Sequence, residues 1–250
     1  MDETGFALLN PGNVVVTDYH EKYPYEGDSD AKEQISVLGC ISAVGAILPP
    51  TIIYPGVKRI PKTDFENANH CLTANGQINN ETFINWLRHT FIPNVKHQLD
   101  DGTPVILFVD GHQSHISLDV HEICIANNII FHVLPANASR IIQPLDLVFY
   151  GSLEKEWAKA VRDFKEIHRA PTLSKKSFAS VFKVAWEAAY THETCIDAFI
   201  ASGLSPWDPH RPDYSKVGTY KVFGPAKGRT IIGKSLETSL LKLSMVNISI

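Results

Sequence analysis

Pro104-Val-Ile-Leu-Phe-Val-Asp-Gly-His-Gln-Ser-His115 is the stretch on which the fold turns. Its apolar run, Val105 to Val109, reads as a short buried strand, and Asp110 closes it, so the strand delivers a carboxylate into a cleft. Two other acids stand in settings of their own: Asp2 in Met1-Asp-Glu-Thr-Gly5, and Asp146 in Gln143-Pro-Leu-Asp146, 36 positions after Asp110. Asp146 follows Pro144, where a helix would begin. Carboxylates scattered along a chain but set at strand and helix ends suit a site for two hard cations. Mg²⁺ prefers oxygen ligands, and a phosphodiester brings the remaining ones. The candidate site is therefore Asp2, Asp110 and Asp146.

Outward from that strand, Ile35 to Val57 carries no charged residue, and hydropathy alone would suggest a membrane span. Gly39, Gly45, Pro49, Pro50 and Pro55 interrupt it. Its β-branched content suits two buried antiparallel strands joined near Ala43-Val-Gly45, and strands covered on both faces give such continuous apolar runs. Asn13-Val-Val-Val-Thr17 reads as a further strand, Tyr19 to Lys32 as a polar loop and Val57 to Asn79 as a long irregular insert. In Asn80 to Leu99, residues Phe83, Trp86, Leu87, Phe91 and Val95 fall at helical spacing, and Pro93 must kink or divide that helix. Ser117 to Asn127 reads as a short helix and Ile129 to Leu134 as a buried strand. Leu145, Phe149, Leu153, Trp157, Val161 and Phe164 form one apolar helical stripe, and Phe178, Val181, Phe182, Ala185, Trp186 and Ala189 form the next. A third helix, from about His192, stops at Gly203. The order of strands, then alternating helix and strand, then helices is that of a mixed α/β sheet flanked by helices.

The 250 residues, 44% of them hydrophobic, suffice for one substantial core. A net charge of −4 argues against gripping nucleic acid by bulk electrostatics, so any such contact has to be local. Lys58, Arg59 and Lys62 in one loop, and Lys155, Lys159 and Arg162 on one helix, are the candidates, although such clusters are more often solvated faces. Cys40, Cys71, Cys124 and Cys195 show no paired metal spacing and read as reduced core thiols of an intracellular protein. The opening Met-Asp-Glu has neither a basic nor an apolar segment, so neither a secretory signal nor a membrane attachment is expected.

Motifs along most of the chain are similar to those of the DDE transposases of the pogo, Tigger and jerky lineage, within the Tc1/mariner-like group. They are Asp2-Glu-Thr-Gly5, Ile35-Ser-Val-Leu-Gly-Cys-Ile-Ser-Ala43 with Gly45 and Leu48-Pro-Pro50, and Phe83-x-x-Trp86. Asp110-Gly-His-x-Ser-His115, Leu134-Pro135, Gln143-Pro-Leu-Asp146 and Phe199-x-x-x-Gly203-x-x-Pro206 follow in the same order and spacing. The resemblance covers roughly residues 1 to 210. It implies an RNase H-like fold with residues 1–170 as the catalytic domain and 171–212 as a helical extension; beyond them few core signals remain apart from Ile231-Ile232 and Leu240-Leu241, so 213–250 is expected to be a loosely packed tail. It also implies that Asp2, Asp110 and Asp146 are a catalytic triad binding two Mg²⁺ or Mn²⁺ ions, about 4 Å apart, for phosphodiester hydrolysis and strand transfer. The implied partner is DNA at transposon ends, with a homodimer and a nuclear location. A domesticated, non-catalytic nucleic-acid or chromatin-binding derivative is the alternative.

The chain departs from the family pattern in places. Arg140 stands where a histidine is common, Val44 replaces a polar turn residue, and only Met1 precedes Asp2, where the family has the body of a central first strand. The first strand is thus expected to be truncated, Met1 to be an internal methionine taken as a start, and the helix-turn-helix by which family members read DNA to be missing from this chain. Each acid alone would read as a turn or cap residue, and three in matching settings reverse that weighting. Glu3 should face away from Asp2 in an extended segment. His112 and His115 invite a zinc reading, but without a third ligand nearby they are expected to hold loop geometry. Three close carboxylates should repel, leaving at least one with a raised pKa until a cation binds.

Overall fold

The chain is described by a computed structural model over residues 1–8, 34–56, 59–111, 116–135, 138–170 and 172–214. The strand expected at Asn13 to Thr17, the Tyr19 to Lys32 loop, Lys58, His112, His115 and the tail beyond Tyr214 lie outside the described residues.

Four strands form one sheet in chain order: β1 (Asp2–Ala7), β2 (Gln34–Gly39), β3 (Thr51–Pro55) and β4 (Asn69–Thr73). β1 and β2 pair antiparallel with Asp2 opposite Gly39, and β2 and β3 pair antiparallel with Leu38 opposite Thr51. The β2–β3 connection turns where expected, at Ala43-Val44-Gly45. Gly45 adopts φ 84°, a left-handed conformation that a side chain would strain. β4 runs parallel to β3. It corrects the reading of Val57 to Asn79 as wholly irregular. Asn69-His-Cys-Leu-Thr73 lacks the apolar alternation that marks a strand, and it is recruited by β3, beginning with Asn69 N–H on the Pro50 carbonyl at 2.8 Å.

β5 (Val105–Val109) and β6 (Ile129–Val133) form a parallel pair joined through α3 (Leu118–Ala126), and the short α4 (Ser139–Ile142) follows β6. Ser117 caps that helix by accepting from Val120 N–H. The Met1 amino group reaches the Phe108 carbonyl at 2.9 Å, linking the start of β1 to β5.

Strand periodicity explains why the Ile35–Val57 run is apolar throughout. Ile35 and Val37 of β2, with Ile52 and Tyr54 of β3, pack on one face against α5 (Tyr150–His168), α6 (Lys175–Ala189) and α7 (His192–Ser202). Leu38 and Ile53 point the other way, into a second cluster with Phe83, Trp86, Leu87 and Phe91 and with Leu107 and Val109 of β5. The mixed α/β sheet flanked by helices is the expected class. No helix among the described residues is long and apolar enough to cross a membrane.

Pro93 divides its helix as expected. It has no N–H to donate to the His89 carbonyl, and its ring would crowd that group. The ladder between α1 (Asn80–Trp86) and α2 (Ile92–Asp100) accordingly widens to a π turn over Leu87–Phe91. Asn94 Nδ2 donates to the Thr90 carbonyl at 2.7 Å, satisfying an acceptor near the break.

The helical face of the core is aromatic. Phe178, fully buried, stacks on Phe182 at 5.5 Å and meets Trp157 at 5.1 Å and Phe6 at 5.9 Å. Phe178→Ala is expected to cost about 3–5 kcal/mol in denaturant unfolding, because three rings fix the walls of the cavity it leaves. A loss below ~1 kcal/mol would mean that α6 does not pack as described.

Candidate active site

Each of the three acids is delivered by a different element. Asp110 directly follows β5, half-buried. Asp2 opens β1 and is buried. Asp146 lies in a π turn over Leu145–Phe149 that starts after Pro144 and leads into α5, and it is exposed. A π turn widens the helix locally and commonly marks a functional position.

The electrostatics bring the three together. Burial first, then the Asp146 and Asp110 carboxylates, raise the Asp2 carboxyl from 3.8 to about 7 against the pull of the Met1 ammonium. Asp146 is also raised, first by partial desolvation and then by Asp110, while a hydrogen bond from the Asp2 side chain and the Arg140 charge oppose the shift. Below about pH 7 Asp2 holds a proton, and its side chain hydrogen-bonds that of Asp146. This is the frustration expected of close carboxylates. Glu3 points elsewhere: its Oε1 accepts from Ile78 N–H at 3.3 Å.

Two side chains hold the Asp2 backbone in place, and the sequence assigned neither a role. Gln143, fully buried, donates from Nε2 to the Met1 carbonyl at 2.9 Å. Tyr150 donates its hydroxyl to the Asp2 carbonyl at 2.7 Å and lies beside Gly39, where β1 and β2 pair next to the acids. A Cβ on Gly39 would stand 3.1 Å from that hydroxyl, so a side chain there would push the ring away by a few tenths of an ångström. Burial first, then Asp2 and Asp146, raise the Tyr150 pKa well above 10.0. Gln143 and Tyr150 stand three and four positions to either side of Asp146. Tyr150→Phe leaves the buried Asp2 carbonyl without this donor and is expected to cost about 1–3 kcal/mol by chemical denaturation. A neutral result would remove Tyr150 from the support of the site.

The donor set is of the right kind for a hard divalent cation, being carboxylate oxygens that lack only a positive charge to offset their repulsion. Among the described residues, no group of three or more His, Cys, Asp or Glu side chains is placed so as to hold a metal ion. Elsewhere, the basic side chains of α5 lie beside acids, Lys159 at 3.9 Å from Glu156 and Arg162 at 3.9 Å from Asp163, all in a solvated face. The four cysteines are free thiols, as expected.

A mixed α/β sheet with helices on its faces and coupled acids at the ends of its elements defines the class of domain. Residues 32–199 match the model of the DDE superfamily endonucleases, and the chain belongs to that family. The matched segment contains Asp110 and Asp146 and begins after Asp2. A protein of Cochliobolus lunatus named MFS-type transporter clz9 is 26% identical in a match 218 residues long that covers 83% of this chain and 23% of that protein. The chain thus spans about a quarter of that relative's length. Among solved structures, the Mos1 transposase in its paired-end complex with the left transposon end is similar over 79% of this chain and 54% of its own, at 14% identity. Its TM-score of 0.37 makes the overlay too loose to define shared geometry.

Proposed function

We propose that the chain is a metal-dependent DNA endonuclease and transposase domain of the pogo, Tigger and jerky lineage, in which Asp2, Asp110 and Asp146 are the catalytic acids. The observation that carries this reading is the buried Asp2 carboxyl, held near neutrality by burial and by the Asp146 and Asp110 charges. A carboxyl kept at that cost in stability is a common mark of a functional site. Two Mg²⁺ or Mn²⁺ ions held by the three carboxylates would supply the charge and Lewis acidity that activate water or a 3′-hydroxyl and stabilise the leaving oxygen. Asp2 gives up its proton when a cation replaces it. Tyr150 and Gln143 keep the Asp2 backbone in register, and β5 fixes the direction of Asp110.

Nicking of supercoiled plasmid by the purified chain in Mn²⁺ tests the reading. Nicking that stops with EDTA and is lost in Asp146→Asn is expected. Nicking that survives EDTA, or that Asp146→Asn retains in full, would contradict it. An inert parent chain would place the domain in the non-catalytic, DNA-associated class.

A further inference from the structure

At the end of β3 away from the acids lie two neighbouring cavities of about 480 and 410 Å³ that share Arg59, Pro61 and Lys175 in their walls. Arg59 and Lys62, from the segment after β3, meet Lys175 and Lys176, from the first turn of α6, around the larger one. Among the described residues no carboxylate lines either cavity. The cluster unites residues more than a hundred positions apart, in a chain whose net charge is −4.

Several features mark this place as built for an anion. The first turn of α6 holds two lysines and no acid, although the helix dipole disfavours cations there. Ser174 caps the Ser177 N–H, leaving other first-turn N–H groups without intrahelical acceptors. Lys175 Nζ donates to the Pro55 carbonyl at 3.2 Å, which fixes the helix start against the end of β3. Independently of the helix, Tyr54 lines the smaller cavity, is 1% exposed, and keeps its hydroxyl without a partner among the described residues. Burial pushes its pKa up to about 12, so it remains a donor. A buried donor left unpaired is costly, and an acceptor in the cavity would relieve it.

We propose that Arg59, Lys62, Lys175, Lys176 and the Tyr54 hydroxyl form a cradle for a backbone phosphate of duplex DNA, a second contact outside the acidic site. The proposal rests on the reading of the chain as a DNA-processing domain. The walls offer Ile60, Pro61 and Leu72 rather than a stacking platform or groups to read base edges, which fits contact with backbone alone. Thr51 of β3 is level with Leu38, one residue from the partner of Asp2, and Pro55 lies four strand residues further on. That is about 13 Å, or roughly four base pairs of duplex rise, so one duplex can reach both places.

Anisotropy titrations of the full chain with a short duplex of arbitrary sequence, in EDTA and over about 50 to 200 mM salt, test the cradle. Lys175→Gln with Lys176→Gln, and separately Arg59→Gln with Lys62→Gln, are expected to weaken binding about tenfold each. The slope of log affinity against log salt should fall by about one to two. Lys155→Gln with Lys159→Gln on the solvated face of α5 should change neither. Unchanged affinity and slope in both cradle variants would overturn the cradle, and a parent that still nicks plasmid would leave the function standing. A parent that neither binds duplex nor nicks would overturn both. Inorganic phosphate that displaces the duplex at equal concentration of phosphate groups would identify a small-anion site and overturn the assignment to DNA.

Discussion

Asp110→Asn is expected to lower metal-dependent DNA cleavage at least a hundredfold while leaving the melting temperature within a few degrees of the parent. Loss of a group that merely supports a metal ligand commonly costs 10- to 100-fold, and a carboxylate in direct contact with the ions should cost more. Asn keeps the shape and one oxygen but not the charge that holds two divalent ions near one phosphate. The fold should tolerate the change, because Asp110 lies just beyond β5 and only half-buried, outside the apolar contacts made by Leu107 and Val109. The charge also raises its neighbours, so removing it should let Asp2 and Asp146 ionise more readily. Cleavage by Asp110→Asn at the parent's rate, at saturating Mn²⁺, would remove Asp110 from the chemistry.

Asp2→Asn is expected to do the opposite to stability. In the unfolded chain Asp2 loses its proton near 3.8, and in the fold burial and the two neighbouring acids hold the proton to about 7. The folded state therefore binds more protons between those values. The stability that Asp2 contributes is complete below about pH 3.8, declines as pH rises through that window, and is flat above about pH 7. A neutral Asn escapes this decline and can still donate a hydrogen bond to Asp146. Without metal, the variant should equal the parent at pH 4 and exceed it at pH 8, by on the order of 4 kcal/mol at most, less where Asp146 titrates with it. Mg²⁺ should raise the parent's melting temperature at pH 8 and leave the variant's nearly unchanged. A parent more stable than Asp2→Asn at pH 8 without metal would show that the carboxyl is not strained.

Much of this arrangement is legible in the sequence because it depends on periodicity. The Leu145 to Phe164 stripe, the Phe178 to Ala189 stripe and the unbroken apolar run from Ile35 each report how many faces of an element are covered, and each element forms where it should. β4 is not legible, since Asn69 to Thr73 is a strand only through the backbone that β3 presents to it. That the three acids stand at element ends and that one would carry a raised pKa could be read from their settings, yet which one could not. The raised Asp2 carboxyl depends on how deeply β1 sits and on the charge of a residue 144 positions away. Tyr150 was hidden for a similar reason: in sequence it is one more aromatic on an amphipathic helix, and only the pairing of Asp2 with Gly39 gives its hydroxyl a place in the sheet. The gathering of Arg59 and Lys62 with Lys175 and Lys176 needs the whole sheet and α6 to be in place.

The claim that Asp2, Asp110 and Asp146 form one cation site is tested most directly by anomalous scattering from crystals of the chain grown with Mn²⁺. Two peaks about 4 Å apart, ligated by oxygens of all three carboxylates and reduced or lost in Asp110→Asn, are the expected result. Manganese bound elsewhere while these three carboxylates carry none, with Asp2 and Asp146 still sharing their proton, would contradict it.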